Sequence, residues 1–537
     1  MPTLNWIGKD AVVNHHKEVP FHLLRCDPKR SVGEDSGNLL VQGDNLLALK
    51  ALLPHYAGQV KCIYIDPPYN TGNENWVYND AVNSPEMRNW LGRVVGGEAE
   101  DLSRHDKWLC MMYPRLVLLR ELLAEDGSLW MSIDDNEVQN ARAILDDIFG
   151  GLNFIASVIW QKNFSPKNDA RYFSDEHDFI IVFARNKEKW QRNLLTRTTK
   201  HDQRYKNPDN DPRGLWASSD LLRMEHRDNS VYTITSPTGK KWTPKPGTSW
   251  RHPPEEMDLL IKDNQVSFGE DGNSKPRRKR FLSEVRQGVV PQTIWKYDDV
   301  GHTQEAKQEL LRILGSSQTP FATPKPIRLI QYILQIATNS SDLVLDSFAG
   351  SGTTGHAILK QNLEDGGGRR FILVEMDEAI CQNITAERLK RAALGYTYKD
   401  QKGNEKQETG LGGGFRFCTL GETLFDAQGQ IRQEVTFEDL ARHVFFTEAG
   451  QPLPEKSRKG WPLLGVKDGV AVYLLFNGIL KDKSAKGGNV LRRAVLASLP
   501  AHDGPKVIYG NGTLFSESKL RELGITFKQV PYEIKIT

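Results

Sequence analysis

Apolar positions along this chain fall into two patterns, continuous short runs and runs at helical spacing. Short unbroken runs rich in β-branched residues, Leu39–Val41, Val60–Ile65, Leu129–Ile133, Leu343–Leu345 and Phe371–Val374, read as buried strands. Between them, Leu46–Leu53, Tyr113–Leu123, Ile327–Leu334 and Thr385–Arg391 carry apolar residues at helical spacing. Asp44 stands where a helix N-cap belongs, and Thr323-Pro324-Lys325-Pro326 opens another helix in the way proline favours. Strands alternating with helices predict a mostly parallel α/β sheet.

The pattern breaks twice. From about 155 to 320 two strand-like runs, Ile155–Trp160 and Phe179–Phe183, are set among long polar stretches dense in Lys, Arg, Asn and Trp. Residues 396–415 are rich in Gly and Lys and read as a linker. Beyond it, 416–537 predicts a small α/β domain, with strands near Val470–Phe476 and Lys506–Tyr509 and a helix near Ser518–Leu523. Residues 1–37 show no periodicity and read as an arm.

Composition narrows the class. With 537 residues, 39% hydrophobic and 26% charged, the chain suits two or three globular domains. It has no apolar run of membrane-spanning length and no basic-then-apolar leader at its start. Cys26, Cys62, Cys110, Cys381 and Cys418 are scattered without a Cys-x-x-Cys pair, so neither a structural zinc nor a disulfide framework is expected, and a reducing cytoplasm is the natural home. A net charge of +2 does not announce a nucleic-acid binder, so any DNA contact must come from local basic clusters. Lys162–Asn168, Lys240–Lys245 and Lys275–Arg280 interleave basic residues with aromatics or prolines, and the last is the sharpest. An isolated basic run is commonly a solvated loop, but basic and aromatic residues together suit phosphate contact and base stacking.

Two stretches carry chemistry. Val60–Ile65 ends in Asp66-Pro67-Pro68-Tyr69, which delivers a carboxylate, stiffened peptides and an aromatic face to one point. The prolines have no N–H, so nearby carbonyls stay free to accept. Such a site suits a flat ring bearing an amine, although the four residues alone also fit a plain Pro-rich turn. The second stretch is Asp346-Ser347-Phe348-Ala349-Gly350-Ser351-Gly352-Thr353-Thr354-Gly355, a strand end, Gly turn and helix start. Its Gly-x-Gly-x-x-Gly, with Glu375 at the end of the next strand, fits a nicotinamide dinucleotide or S-adenosylmethionine equally. No Gly-Lys-Ser/Thr follows, so it is not a P-loop.

Together these motifs resemble the amino-methylating DNA methyltransferases of the permuted β class, in which the catalytic tetrad precedes the cofactor loop. Val41–Asn45, Asn70–Asn73, Ser132-Ile133-Asp134-Asp135-Asn136-Glu137 and Thr323–Pro326 resemble in particular the modification (Mod) subunit of type III restriction-modification systems. The resemblance implies a Rossmann-like methyltransferase fold split into 38–154 and 321–395, with 155–320 as an inserted target-recognition domain. It implies site-specific transfer of a methyl from S-adenosyl-L-methionine to N6 of an adenine flipped out of double-stranded DNA. An orphan or phage-defence enzyme, cytosine-N4 methylation and a nicotinamide oxidoreductase remain the alternatives. Asp66, Pro67, Pro68 and Tyr69 would be catalytic. Asp44 would lie near the adenosyl group, Lys325 and Pro326 near the methionine portion, and Glu375 on the ribose hydroxyls. Asp346, Phe348, Ala349, Gly350, Ser351, Gly352, Thr353 and Thr354 would form the cofactor cradle. Expected DNA contacts are Asn70, Lys162, Lys167, Lys275, Arg277, Arg278, Lys279 and Arg280. No metal is expected. A second copy of the chain and a separate restriction subunit are the protein partners the resemblance implies.

Overall fold

The computed structural model describes residues 4–33, 37–71, 92, 103–166, 168, 170–197, 199–285, 288–316, 321–399, 403–426, 428, 430–454, 460–477 and 483–530. Two compact units divide the chain: Leu194–Pro291 forms one, and Met1–Asn193 with Gln292–Thr537 the other.

The larger unit is built on a ten-stranded sheet. In chain order its strands are β1 (His22–Val32), β2 (Leu39–Gln42), β3 (Val60–Ile65), β4 (Leu123–Ile133), β5 (Phe154–Gln161), β6 (His177–Ala184), β7 (Ile294–Trp295), β8 (Leu343–Asp346), β9 (Arg370–Glu375) and β10 (Phe415–Thr423). Their spatial order is β1-β10-β2-β9-β8-β3-β4-β6-β5-β7. From β10 to β4 the strands are parallel. Strand β6 runs antiparallel to both β4 and β5. The α/β fold anticipated from the alternating pattern is therefore present, with its topological switch beside β8.

Helices cover both faces, as parallel crossovers require. They include α1 (Asn45–Tyr56), α2 (Arg104–Leu122), α3 (Val138–Phe149), α4 (Thr303–Leu314), α5 (Ile327–Ala337), α6 (Thr353–Asp365) and α7 (Ala386–Leu394). That double cover explains why the central strands are continuously apolar. Val60, Cys62, Ile63, Ile65, Phe371, Ile372 and Leu373 are all wholly buried. Two helix starts follow their sequence signals. Asp44 caps α1 by accepting from the Leu46 and Leu47 amides, and Ser103 with Asp106 forms a capping box on α2.

The decisive register is between β3 and β8: Leu343, Val344 and Leu345 lie opposite Val60, Cys62 and Ile63. Strands that carry Asp66 and Asp346, 280 residues apart in the chain, are thus direct neighbours and bring both residues to the same sheet edge.

Four expectations are corrected. The insert is shorter than 155–320, because β5, β6, β7 and α4 belong to the larger unit and only Leu194–Pro291 is separate. The N-terminal arm contributes an edge strand, β1, antiparallel to β10. Part of the expected linker is a hairpin, Gly395–Lys399 with Glu405–Thr409, and β10 extends the large sheet rather than opening a separate domain. Cys26 and Cys418 are register partners on β1 and β10 and are joined in a disulfide, a pairing that a sequence separation of 392 conceals.

The remaining C-terminal residues form a four-stranded sheet of Leu463–Lys467, Val470–Leu474, Lys506–Gly510 and Ile525–Gln529, whose last three strands are parallel. The smaller unit has a three-stranded antiparallel sheet, Val266–Ser267, Arg277–Phe281 and Trp216–Asp220, and a core around Leu221, Trp250 and Met257. Among the described residues, no helix is long and apolar enough to cross a membrane.

Candidate active site

Strand β3 carries Asp66 to the sheet edge, where its two carboxylate oxygens meet different fates. Oδ2 accepts from the Lys325 ammonium at 2.5 Å. Oδ1 is buried and accepts no hydrogen bond from the described residues within bonding geometry. A buried carboxylate oxygen left unpaired costs on the order of 1–3 kcal/mol, so among the described residues it marks a position open to an added donor.

The turn around Asp66 is held from behind. The Trp108 indole donates to the Pro68 carbonyl at 2.8 Å. Asn70 follows with φ 57°, a left-handed conformation uncommon outside glycine, and its side-chain amide donates to the Arg104 carbonyl at 3.1 Å and to Glu137 Oε1 at 2.5 Å. Glu137 is wholly buried and is also bonded by His105 at 2.7 Å and Asn140 at 2.7 Å. Asn70, expected on the DNA, is 3% exposed and instead locks the tetrad to the Ser132–Glu137 segment. That segment was legible as a family motif, but nothing in the sequence revealed its partner.

Tyr69 offers its ring beside Lys325, whose Nζ lies 5.1 Å from the ring centroid. Its hydroxyl donates to Asp178 Oδ2 at 3.4 Å. Burial drives the Tyr69 phenol well above its ordinary pKa, and the Asp178 and Asp66 charges add to it. Asp178, at the start of β6, is 3% exposed and pairs with Lys162 at 2.7 Å. Burial raises its pKa, opposed by the Lys162 and Lys325 charges. Sequence reading missed Asp178; its only trace was an acidic residue opening an apolar strand. Lys162, expected as a phosphate contact, is engaged in this pair.

On the neighbouring strand the Gly loop is closed on itself. Asp346 Oδ1 accepts from the Phe348 amide at 3.0 Å and Oδ2 from the Thr354 hydroxyl at 2.5 Å. Burial pushes the Asp346 carboxyl up to about 7, with those two hydrogen bonds pulling the other way. Gly350 and Gly352 have φ 50° and 75°, and a Cβ on Gly350 would stand 2.8 Å from the Phe321 ring. Glu375, at the end of β9, accepts from the Gly350 amide at 2.8 Å and the Asp377 amide at 2.9 Å. A buried arginine supports the loop from below: Arg388 donates to Thr353 Oγ1 at 2.8 Å and to Ser351 Oγ at 3.1 Å. Thr353 in turn donates to the Lys325 carbonyl at 3.1 Å, which ties the Thr-Pro-Lys-Pro segment to the Gly loop.

A small cavity of about 30 Å³ joins the two strand tips. Tyr64 and Asp66 line one side, Asp346, Phe348 and Gly350 the other, and Lys325 and Phe321 complete the wall. Asp44 lies at the end of β2, the strand next to β9, with its side chain 37% exposed and Arg115 at 3.3 Å. Glycines at positive φ, strand-end carboxylates and an unpaired acceptor fit a nucleoside cofactor next to an amine-bearing acceptor.

The basic cluster of the smaller unit is split by its own strand. In Arg277–Phe281 the side chains of Lys279 and Phe281 share one face and are buried, Arg278 and Arg280 lie on the other face, half-buried and exposed, and Arg277 is exposed at the start of the strand. Lys279 is 1% exposed and paired with Asp209 and Asp211, so its assignment to DNA contact is withdrawn. Lys275 is paired with Asp220 at 3.4 Å, and Lys167 lies outside the described residues.

The parallel order about β8, with a cofactor-type loop on one strand and an acceptor site on the next, defines an α/β methyltransferase. The DNA methylase family model, covering N6 and N4 methyltransferases, matches residues 60–387, and the chain belongs to that family. It is 34% identical over 419 residues to the StyLTI Mod subunit of a type III restriction-modification enzyme from Salmonella typhimurium. That match covers 75% of this chain and 62% of that protein, so the chain spans under two thirds of that relative's length. The EcoP15I Mod subunit of Escherichia coli is 32% identical over 510 residues and the EcoPI Mod subunit of Escherichia phage P1 31% over 497. Each of these matches covers 83% of this chain and 74% of the relative.

Proposed function

We propose that the chain is an S-adenosylmethionine-dependent, site-specific DNA adenine-N6 methyltransferase, the modification subunit of a type III restriction-modification system. The observation that carries the reading is Asp66 Oδ1, a buried acceptor without a partner among the described residues, on the strand next to the Gly loop. Bound at that loop, S-adenosylmethionine would supply a methyl group activated by a positive sulfur.

The chain's own residues do the rest. An exocyclic amine is a weak nucleophile because its lone pair is delocalised into the ring. Asp66 Oδ1 and the Pro67 carbonyl accept its two hydrogens and draw the lone pair out of the ring plane. Lys325 keeps its grip on Oδ2, which fixes the carboxylate's rotamer and leaves Oδ1 for the substrate. Tyr69 stacks on the base, and its hydroxyl contact to Asp178 sets the ring's orientation. Alignment of this kind can supply on the order of 7–11 kcal/mol. A base inside a duplex cannot reach the cavity, so the target must be flipped out.

Target recognition is assigned to the smaller unit, with Arg277 and Arg280 toward phosphates. DNA cleavage would need a separate restriction subunit. Single-molecule sequencing of DNA from a methylation-free host expressing the chain tests the reading. N6-methyladenine in one sequence context is expected. N4-methylcytosine or unmodified DNA would overturn it.

A further inference from the structure

A second aromatic feature lies on a loop whose root is tied to the tetrad through Asp178. The loop between β5 and β6 has both ends clamped, the Lys162 and Asn163 amides donating to the Glu176 carbonyl at 2.8 and 3.2 Å. At its root Lys162 holds Asp178, and Asp178 holds the Tyr69 hydroxyl. On it Tyr172 is 79% and Phe173 93% exposed, and Phe173 is the most exposed large hydrophobic side chain among the described residues. Arg171 lies 5.2 Å from the Tyr172 ring.

Two consecutive rings in water contribute nothing to the fold's core, since burying apolar surface is what stabilises it. Their neighbour Phe164, by contrast, packs on Tyr297 and His302 with centroids 5.7 and 5.1 Å apart. Phe173 is four residues from His177, so extended chain carries it at most about 14 Å from the strand whose second residue touches Tyr69. That is the distance of a few stacked bases, which rise about 3.4 Å each. The root carries acids as well as bases, with Asp175 held 3.5 Å from Lys162, so the described residues of the loop offer apolar rings with the Arg171 guanidinium beside them.

We propose that Tyr172 and Phe173 form a wedge that enters the duplex beside the target adenine and fills the gap left when that base is flipped into the cavity. The inference rests on the DNA methyltransferase reading. Apolar wedges of this kind stabilise unstacked steps in other DNA-binding proteins. Arg171 is placed to meet the phosphate next to the gap.

The test replaces both rings, Tyr172→Ala with Phe173→Ala, in the full-length chain, using the recognition site read by methylation sequencing. Two duplexes are compared in single turnovers: one with the target adenine paired, the other with it opposite an abasic site, where less stacking and pairing must be broken. Methylation of the paired duplex is expected to fall at least tenfold, the scale of one aromatic–base stack. On the abasic duplex the loss should stay within about threefold, and S-adenosylmethionine affinity should not change. Tyr172→Phe, which keeps the ring, should behave as wild type on both. No loss on the paired duplex, or equal losses on the two, would overturn the wedge. If the wild-type chain methylates neither duplex, the underlying function fails and the wedge with it.

Discussion

The tips of β3 and β8 are a near-controlled comparison. Each is a buried parallel strand in the same sheet ending near an aspartate, Asp66 in one case and Asp346 in the other. Asp346 has both oxygens satisfied by its own loop, from Phe348 and Thr354. Among the described residues Asp66 is satisfied on one oxygen only, by a lysine 259 residues away, and its other oxygen is buried without a partner. The closed carboxylate shapes a loop, and under the proposed function the open one receives the substrate amine. The difference lies in the number of local donors: the Gly loop offers an amide and a hydroxyl to its aspartate, whereas the prolines after Asp66 offer no N–H at all.

The largest effect should come from the open carboxylate. Asp66→Ala is expected to lower single-turnover methylation about a thousandfold or more, because it removes an acceptor that acts on the reacting amine. S-adenosylmethionine affinity should fall only modestly, and DNA affinity should hold or rise as a negative charge leaves a DNA-facing pocket. A variant that still methylates at near wild-type rate would make Asp66 structural and erase the contrast with Asp346.

Gly352→Val addresses the closed loop. Its φ of 75° disfavours a β-branched residue, and a Cβ there would press on Thr385 Cγ2 at 3.1 Å. Cofactor binding should be lost to calorimetry while the fold, read by circular dichroism, survives. Near-normal binding would mean that the loop does not cradle the cofactor.

A third measurement uses pH. The folded pKa of Asp346, about 7, lies above its ordinary value of 3.8 because burial disfavours the anion. The folded state therefore holds the proton more tightly than the unfolded one. Stability from this group is fully present below the unfolded value and is lost as pH rises through about 7. Asp346→Asn removes that dependence, so between pH 5 and 8 the variant's denaturation midpoint should change less than wild type's, by a difference worth about 2–4 kcal/mol. Parallel curves for the two proteins would show that the loop does not hold Asp346 protonated.

The same open-versus-closed distinction divides the basic strand of the smaller unit. Neutralising Arg277, Arg278 and Arg280 together should flatten the salt dependence of DNA binding by up to about three phosphate contacts and leave stability nearly unchanged. Lys279→Met should do the reverse, costing on the order of 1–3 kcal/mol because Asp209 and Asp211 each lose one partner, keeping Trp216 and Arg213, while the salt slope stays put. Equal effects on the slope from both sets would return Lys279 to the DNA surface.

Much of this was legible in the order of residues. Unbroken apolar runs and period-3.6 patterns located the sheet's central strands and crossover helices, because burial on both faces leaves a strand continuously apolar. The tetrad and the Gly loop were readable because proline and glycine constrain the backbone locally. The sequence by itself determined the α/β class, the two chemical motifs and their strand-end placement. Only the tertiary structure decided which groups remain free. It brought Lys325 onto one oxygen of Asp66, turned Lys279 inward, put Asn70 on Glu137 and set Asp178 behind Tyr69. Each of these pairings spans 67 to 259 residues of chain, and the donors and acceptors that meet across such distances are set by sheet order and register, which no local pattern encodes.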